Sequence, residues 1–279
     1  MIRMDDPGVI AWVIGGLGNQ LFILTASWLA AKYHGCPLYM LTNTGNKHNK
    51  DGHDYCDTIF SHIQGLRYIR NLESTQQILN LLCASGWTLA HQGKQSAFAP
   101  YSIMDTPIPA IYMFYYQFYP PMEDHKEEIQ SMYLKGLEPL RAKMLERYPE
   151  AKSHAFLHIR RGDYLQYSNI HPLAPSSYYE DALSRVNAPC LIVSDDPTWV
   201  KEQSWSKRDG LTIVEGYNEL ETMALMTICE AGAICANSSF SWWGAFLGAY
   251  RTGAPVFVPS CWILTEKVVC LFPEEWIVI

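Results

Sequence analysis

The sequence predicts an α/β fold built on parallel sheets, and three observations predict it. Short apolar runs alternate with longer stretches of helical pattern. Each apolar run ends directly in a turn signal. Hydrophobic residues make up 48% of the 279 residues and charged residues only 18%, so a large core can be filled. Strand–turn–helix units in series bury themselves best as parallel sheets with helices on both faces.

The elements follow in order. Residues 9–14 are a buried-strand run that ends in Gly15-Gly16-Leu17-Gly18. Residues 21–33, rich in Ala and Leu, carry the spacing of an amphipathic helix. Residues 42–57 are polar, include Gly45 and Gly52, and read as a long loop of the kind that is variable or functional. Residues 124–146 are charged and helical in pattern, and Pro149 interrupts them. A fresh strand–turn–helix series then begins, with buried-strand runs at 155–159, 190–194 and 255–258. The domain boundary is therefore expected near 147–153, dividing the chain into 1–148 and 149–279.

Bulk properties exclude several partners. The formal net charge of −7 argues against a general affinity for nucleic acid or anionic lipid. No apolar run reaches the roughly 18 to 20 residues of a membrane span. Residues 1–6 carry charge of both signs and lack the zones of a signal peptide, so a cytoplasmic location is expected. The eight cysteines form no Cys-x-x-Cys pair, and several lie in apolar runs. Buried free thiols are the economical reading, in keeping with a reducing compartment.

Four segments can carry chemistry. His158-Ile159-Arg160-Arg161-Gly162-Asp163-Tyr164 follows a strand run, so its polar groups emerge at the carboxyl end of a sheet, where open α/β sheets bind ligands. Guanidinium groups there suit phosphate oxygens, and a cation beside a departing diphosphate stabilises developing charge. The plainer alternative is an Arg–Asp pair in which Asp163 orients Arg160. Ser194-Asp195-Asp196-Pro197-Thr198-Trp199 places two carboxylates at another strand end. They suit a metal, a proton transfer or a ribose, or else Asp195 caps the helix entered at Pro197. In Ala236-Asn237-Ser238-Ser239-Phe240-Ser241-Trp242-Trp243-Gly244, a small polar loop feeds a helix start whose N–H groups and hydroxyls could hold phosphate. At least one of the two tryptophans belongs in the core.

The fourth segment is Gly15-Gly16-Leu17-Gly18-Asn19-Gln20. It is not a dinucleotide fingerprint, because Leu21 stands where the third glycine should be. The glycines instead allow close backbone approach, with Asn19 and Gln20 offering amide bonds. His48, His53, Cys56 and His62 invite a zinc reading, but their spacing matches no standard finger. A nucleophile elbow and a Walker lysine are both missing from the sequence.

Together these segments resemble the α-1,2-fucosyltransferase family. The match rests on residues 15–20, 158–164, 194–196 with Trp199, and 237–244. It is weaker in Tyr115-Tyr116-Gln117-Phe118, in Met223-Ala224-Leu225-Met226-Thr227 and in residues 273–276. The resemblance implies a GT-B-type fold of two facing Rossmann-like domains with the active site in the interdomain cleft. It implies inverting transfer of L-fucose from GDP-fucose, a nucleotide-sugar donor, to a carbohydrate acceptor, with no cofactor and no required metal. Under it Arg160 holds the β-phosphate, supported by Arg161 and Asp163. Ser239, Phe240 and Ser241 lie along the diphosphate and sugar, with Asn237 in the same donor loop. Asp195 or Asp196, and less directly Glu221, face ribose or guanine. His158 shapes the nucleotide pocket. Asn19, with Gly16 and Gly18, reaches the site from the other domain. Catalysis is expected from Arg160, Asp163 and Asn19. Residues 228–233 read Ile-Cys-Glu-Ala-Gly-Ala where family members often carry basic residues, so another donor stays open: UDP-xylose, UDP-galactose or a GDP-hexose. The reading from another class is a silent sugar- or nucleotide-binding module.

Overall fold

A computed structural model describes residues 6–43, 55–71, 75–90 and 97–279. Residues 1–5, His48, His53 and most of the expected 42–57 loop lie outside the described residues. The described residues form two all-parallel sheets, as the alternation of runs predicted.

The first unit draws on Met1–Tyr55, His62–Ile129 and Val269–Phe272. Strand β1 (Val9–Val13) is buried at every position, which is why its apolar run is continuous rather than alternating. Helix α1 (Leu17–His34) follows, then β2 (Leu38–Asn43), β3 (Leu66–Asn71), α2 (Thr75–Ala84), β4 (Thr88–Leu89) and β5 (Ala110–Tyr112). The sheet order is β3-β2-β1-β5-β4. Ile10, Trp12, Tyr39, Leu41, Leu82, Trp87 and Ile111 form a core against it. Helix α1 departs from expectation twice. It starts at Leu17 rather than Leu21, because Gly15 at φ +78° makes the turn alone. It is also buried nearly all round, from Leu17 to Ala31, so it is a core helix rather than an amphipathic one.

The second unit draws on Cys56–Ser61, Gln130–Val268 and Pro273–Ile279. The long helix α3 (Lys126–Arg147) leads into β6 (Ala155–Ile159), α4 (Ser176–Arg185), β7 (Cys190–Ser194), α5 (Pro197–Glu202) and β8 (Leu211–Val214). After these come α6 (Glu219–Ile228), β9 (Gly232–Ile234), α7 (Ser239–Leu247), β10 (Val256–Val258) and β11 (Ile277–Val278). The order β11-β10-β9-β6-β7-β8 has a consequence for ligands. The chain winds one way from β6 to β8 and the other way from β9 to β11, so a topological switch point opens between β6 and β9. Crevices of this kind are where doubly wound sheets bind ligands.

The cysteines form no disulfide among the described residues, as expected, but not all are buried. Cys56, Cys190, Cys229 and Cys235 lie in the interior, whereas Cys83, Cys261 and Cys270 are exposed in loops or at a helix end. Among the described residues no helix is long and apolar enough to cross a membrane.

Candidate active site

The register of the second sheet assembles the charged residues. Strands β6 and β7 are parallel neighbours with Ile159 opposite Ser194, so the residues that follow each strand emerge side by side. Arg160 and Arg161 thereby meet Asp195 and Asp196. Arg160 Nη1 lies 2.9 Å from Asp195 Oδ2, and its Nη2 lies 2.7 Å from Asp163 Oδ1. Arg161 Nε donates to Asp196 Oδ2 at 3.1 Å, and the Arg161 backbone N–H donates to Asp195 Oδ1 at 2.8 Å. Asp195 thus holds one arginine by its side chain and the next by its backbone.

Gly162 is required by this crossing. A Cβ there would come 2.7 Å from Asp195 Oδ2, closer than a side chain tolerates. The bound carboxylate occupies the space that any other residue would need.

The two arginines differ in availability. Arg161 packs its guanidinium 4.2 Å from the Trp199 ring centroid, and its side chain is 17% exposed. An ion pair on one edge and a cation–π contact on one face immobilise it. Arg160 is 34% exposed and lies 5.7 Å from the Tyr164 ring. Its fork is aimed by two carboxylates yet keeps N–H donors for a ligand. Asp196 also caps α5, accepting from the Trp199 N–H at 3.1 Å. The cap expected at Asp195 is thus corrected to Asp196, because Asp195 is taken up by the arginines. Neither carboxylate is left solely for a ribose.

Strand β9 is the other neighbour of β6, and the loop after it closes the switch point. The Ser238 side chain caps α7 by accepting from the Phe240 N–H. Asn237 Nδ2 donates to the carbonyls of Pro172 and Trp262, and Tyr164 donates to the Asn237 carbonyl at 2.9 Å. This stitches the segment after β6 to the segment after β9. The Ser241 hydroxyl is fully buried and donates to Ala236 and Ser238 carbonyls, so it braces the loop. Ser239 and Phe240 are partly exposed at the helix start. Trp242 and Trp243 are both completely buried.

His158 sits on β6 beneath this loop, its ring centroid 5.6 Å from that of Phe240. Burial first, and then the Arg160 charge, lower its pKa to about 3, so it is neutral at working pH. Its Nδ1 has no hydrogen-bond partner among the described residues. Glu221 completes a capping box with Asn218 on α6 and pairs with Lys143 at 2.6 Å. Two neighbours escaped the sequence reading. Tyr164 stacks on His171 at 4.5 Å beside Arg160, and burial pushes the Tyr164 phenol up to about 12. Tyr164 lay inside the motif and was findable; nothing in the sequence marks His171. No group of three or more His, Cys, Asp or Glu placed to hold a metal ion occurs among the described residues.

In the first unit, Asn19 lies in the first turn of α1, where its Oδ1 accepts from Gln117 Nε2 at 3.0 Å. Gln20 Nε2 donates to the Gly15 carbonyl at 2.9 Å, fixing the turn from within. Gly16 is the N-cap of α1, and Gly18 is buried in its first turn.

Comparison with known proteins agrees with this architecture. The sequence profile described as glycosyl transferase family 11 matches residues 103–262. An Escherichia coli protein named alpha-1,2-colitosyltransferase is 32% identical over 167 residues, 55% of this chain and 57% of that protein. The aligned region thus spans little more than half of that relative. Among solved structures, fucosyltransferase NodZ from Bradyrhizobium superposes with a TM-score of 0.51 at 13% identity, covering 88% of this chain and 94% of that one. A family 9 glycosyl transferase from Veillonella parvula gives 0.52 at 10% identity, covering 98% and 86%. These two likenesses establish the fold class, that of GT-B-type glycosyltransferases. The profile match takes in the two arginines, the paired aspartates and the serine-rich loop, and the chain belongs to glycosyl transferase family 11, the fucosyltransferase family that the motifs resembled.

Proposed function

We propose that this chain is an inverting glycosyltransferase that moves L-fucose from GDP-fucose to a hydroxyl of a carbohydrate acceptor, without a required divalent metal. The observation that carries the reading is Arg160, held by Asp163 and Asp195 at the carboxyl ends of β6 and β7, beside the β6/β9 switch point of a family 11 chain. The acceptor hydroxyl attacks the anomeric carbon, and the bond from that carbon to the β-phosphate oxygen breaks. The diphosphate leaves with the electron pair toward Arg160 and the first turn of α7. The hydroxyl proton is released as the new glycosidic bond forms. A preorganised guanidinium stabilises the leaving oxyanion as a metal otherwise would. Its two carboxylate partners keep its fork aimed before the donor arrives, so little reorganisation is needed. Asp163 Oδ1 lies 2.7 Å from Arg160 as an ion pair without hydrogen-bond alignment, and this close opposite charge supports an orienting role for the carboxylate over a role as base.

A second reading keeps the mechanism and changes the sugar. The Escherichia coli relative is named for colitose, and its 32% identity makes a donor carrying that sugar the first alternative. A thermal-shift panel separates these cases, since a ligand of the native state raises the melting temperature. Stabilisation by GDP and GDP-fucose, with none by UDP or UDP-sugars, is expected. Stabilisation by UDP-xylose or UDP-galactose instead would overturn the donor, and a response to GDP without fucose turnover would point to another GDP-sugar.

A further inference from the structure

The first sheet has a switch point of its own. The chain winds from β1 to β3 on one side, and β5 flanks β1 on the other, with Ala11 opposite Tyr112. Two segments leave the carboxyl ends of this pair. The one after β1 turns at Gly15 into α1. The one after β5 passes Tyr116, at φ +49°, and delivers Gln117 to the start of the same helix.

Two independent features at this point are unsatisfied. Helix α1 is 18 residues long, with Gly16 as N-cap, no side-chain capping bond and no acidic residue in its first turn. Among the described residues no side chain caps its leading N–H groups, and none of its first-turn side chains is acidic to meet the positive end of its dipole. Gln117 is the second feature. The residue is buried, only 6% exposed, its backbone N–H donates to the Ala97 carbonyl, and its Nε2 is committed to Asn19 Oδ1. That bond places the amide head at the first turn, yet Gln117 Oε1 has no partner among the described residues. A buried acceptor left unmatched costs stability, and such groups in native proteins call for a ligand or a water. Above Gly16 a Cβ would meet nothing within 4 Å among the described residues, so there is room.

The mixture of donors and an acceptor selects the ligand. A phosphate diester, such as the bridge of a nucleotide sugar, accepts from N–H groups but has no proton to give and would set its oxygens against the lone pairs of Oε1. A hydroxyl accepts from the helix N–H groups and donates to Oε1. We propose that Gln117 and the uncapped start of α1 form a subsite for a sugar hydroxyl. The subsite rests on the carbohydrate-transfer reading above and adds Gln117 as a binding residue. The hydroxyl comes either from the transferred sugar or from the acceptor.

The test uses the full chain labelled with ¹⁵N at Gln, Leu and Gly, held in saturating GDP. It is titrated separately with methyl α-L-fucoside, methyl β-D-galactoside and dimethyl phosphate, an anion with no proton to donate. The Gln117 side-chain amide and the Leu17 and Gly18 backbone amides should shift with a glycoside and not with dimethyl phosphate. A response to the fucoside assigns the donor sugar, and a response to the galactoside assigns the acceptor. Silence toward both glycosides, or a response to dimethyl phosphate alone, would overturn the subsite. Gln117→Leu should raise the half-saturation concentration of the responding glycoside about tenfold, the weight of one hydrogen bond, with GDP affinity unchanged. Gln117→Glu keeps the accepting oxygen and loses the bond to Asn19, so it should bind better than Gln117→Leu. Equal damage from both variants would mean that Gln117 serves only to hold Asn19. Failure of GDP to bind refutes the donor assignment while leaving these amide shifts to decide the subsite.

Discussion

The two switch points of this molecule share a backbone plan and differ in chemistry. At the carboxyl ends of β6 and β7, beside the β6/β9 switch point, two guanidinium groups are interlocked with three carboxylates. Between β1 and β5, glycines and amides occupy the equivalent place, with Asn19, Gln20 and Gln117 bonded among themselves and to the turn. The first is built to meet charge, and the second is built to meet neutral hydroxyls. A parallel sheet supplies the crevice, and the few residues following its central strands decide what can enter.

The sharpest way to break this contrast is Arg160→Ala. If the charged point receives the leaving group, kcat should fall by about 10² to 10³, the range seen when one stabilising donor is removed from a developing oxyanion. The same truncation at Asn19 should act on the sugar's KM and leave GDP affinity intact. Equal loss of GDP affinity in both variants would erase the distinction between the two points.

A smaller effect is expected from Gly162→Ala. The new methyl would press on Asp195 Oδ2, found 2.7 Å from its ideal position, and push the carboxylate off Arg160. A fall of about tenfold in kcat/KM, the equivalent of about 1.4 kcal/mol, is expected from steady-state kinetics on a folded variant. Unchanged kinetics would show that Asp195 does not aim Arg160.

The smallest effect concerns acid stability. The folded pKa of His158, about 3, lies below its ordinary 6.5, so between these values the unfolded chain takes a proton that the folded chain refuses. Its contribution is complete above pH 6.5 and is lost as pH falls toward 3. His158→Gln should therefore show a shallower decline of Tm between pH 6.5 and 4 than the parent protein. Parallel declines would mean that the ring is not held neutral by its burial.

Much of the charged point was legible before the structure. A buried run followed at once by Arg160-Arg161-Gly162-Asp163 announces a strand end, and the runs at β1, β6, β7 and β10 were found almost to the residue. The pairing was not legible. Asp195 and Asp196 stand 35 residues beyond Arg160 and Arg161, and only the β6/β7 register reveals that they meet. Composition shows which groups are polar and not which have local partners, so the carbonyls that meet the Ser241 hydroxyl and the lysine that meets Glu221 emerge only from the structure. Strands β4 and β11, two residues each, carry too little pattern to register. The corner at Gln117 was the least legible, since its meaning depends on an amide oxygen that nothing satisfies.

The central claim is that a positioned arginine does the work that other transferases give to a metal, and turnover of GDP-fucose in excess chelator tests it most directly. The account predicts the same kcat with and without chelator, and a comparable loss in Arg160→Ala under both conditions. Activity that disappears with chelator and returns on adding a divalent cation would contradict it.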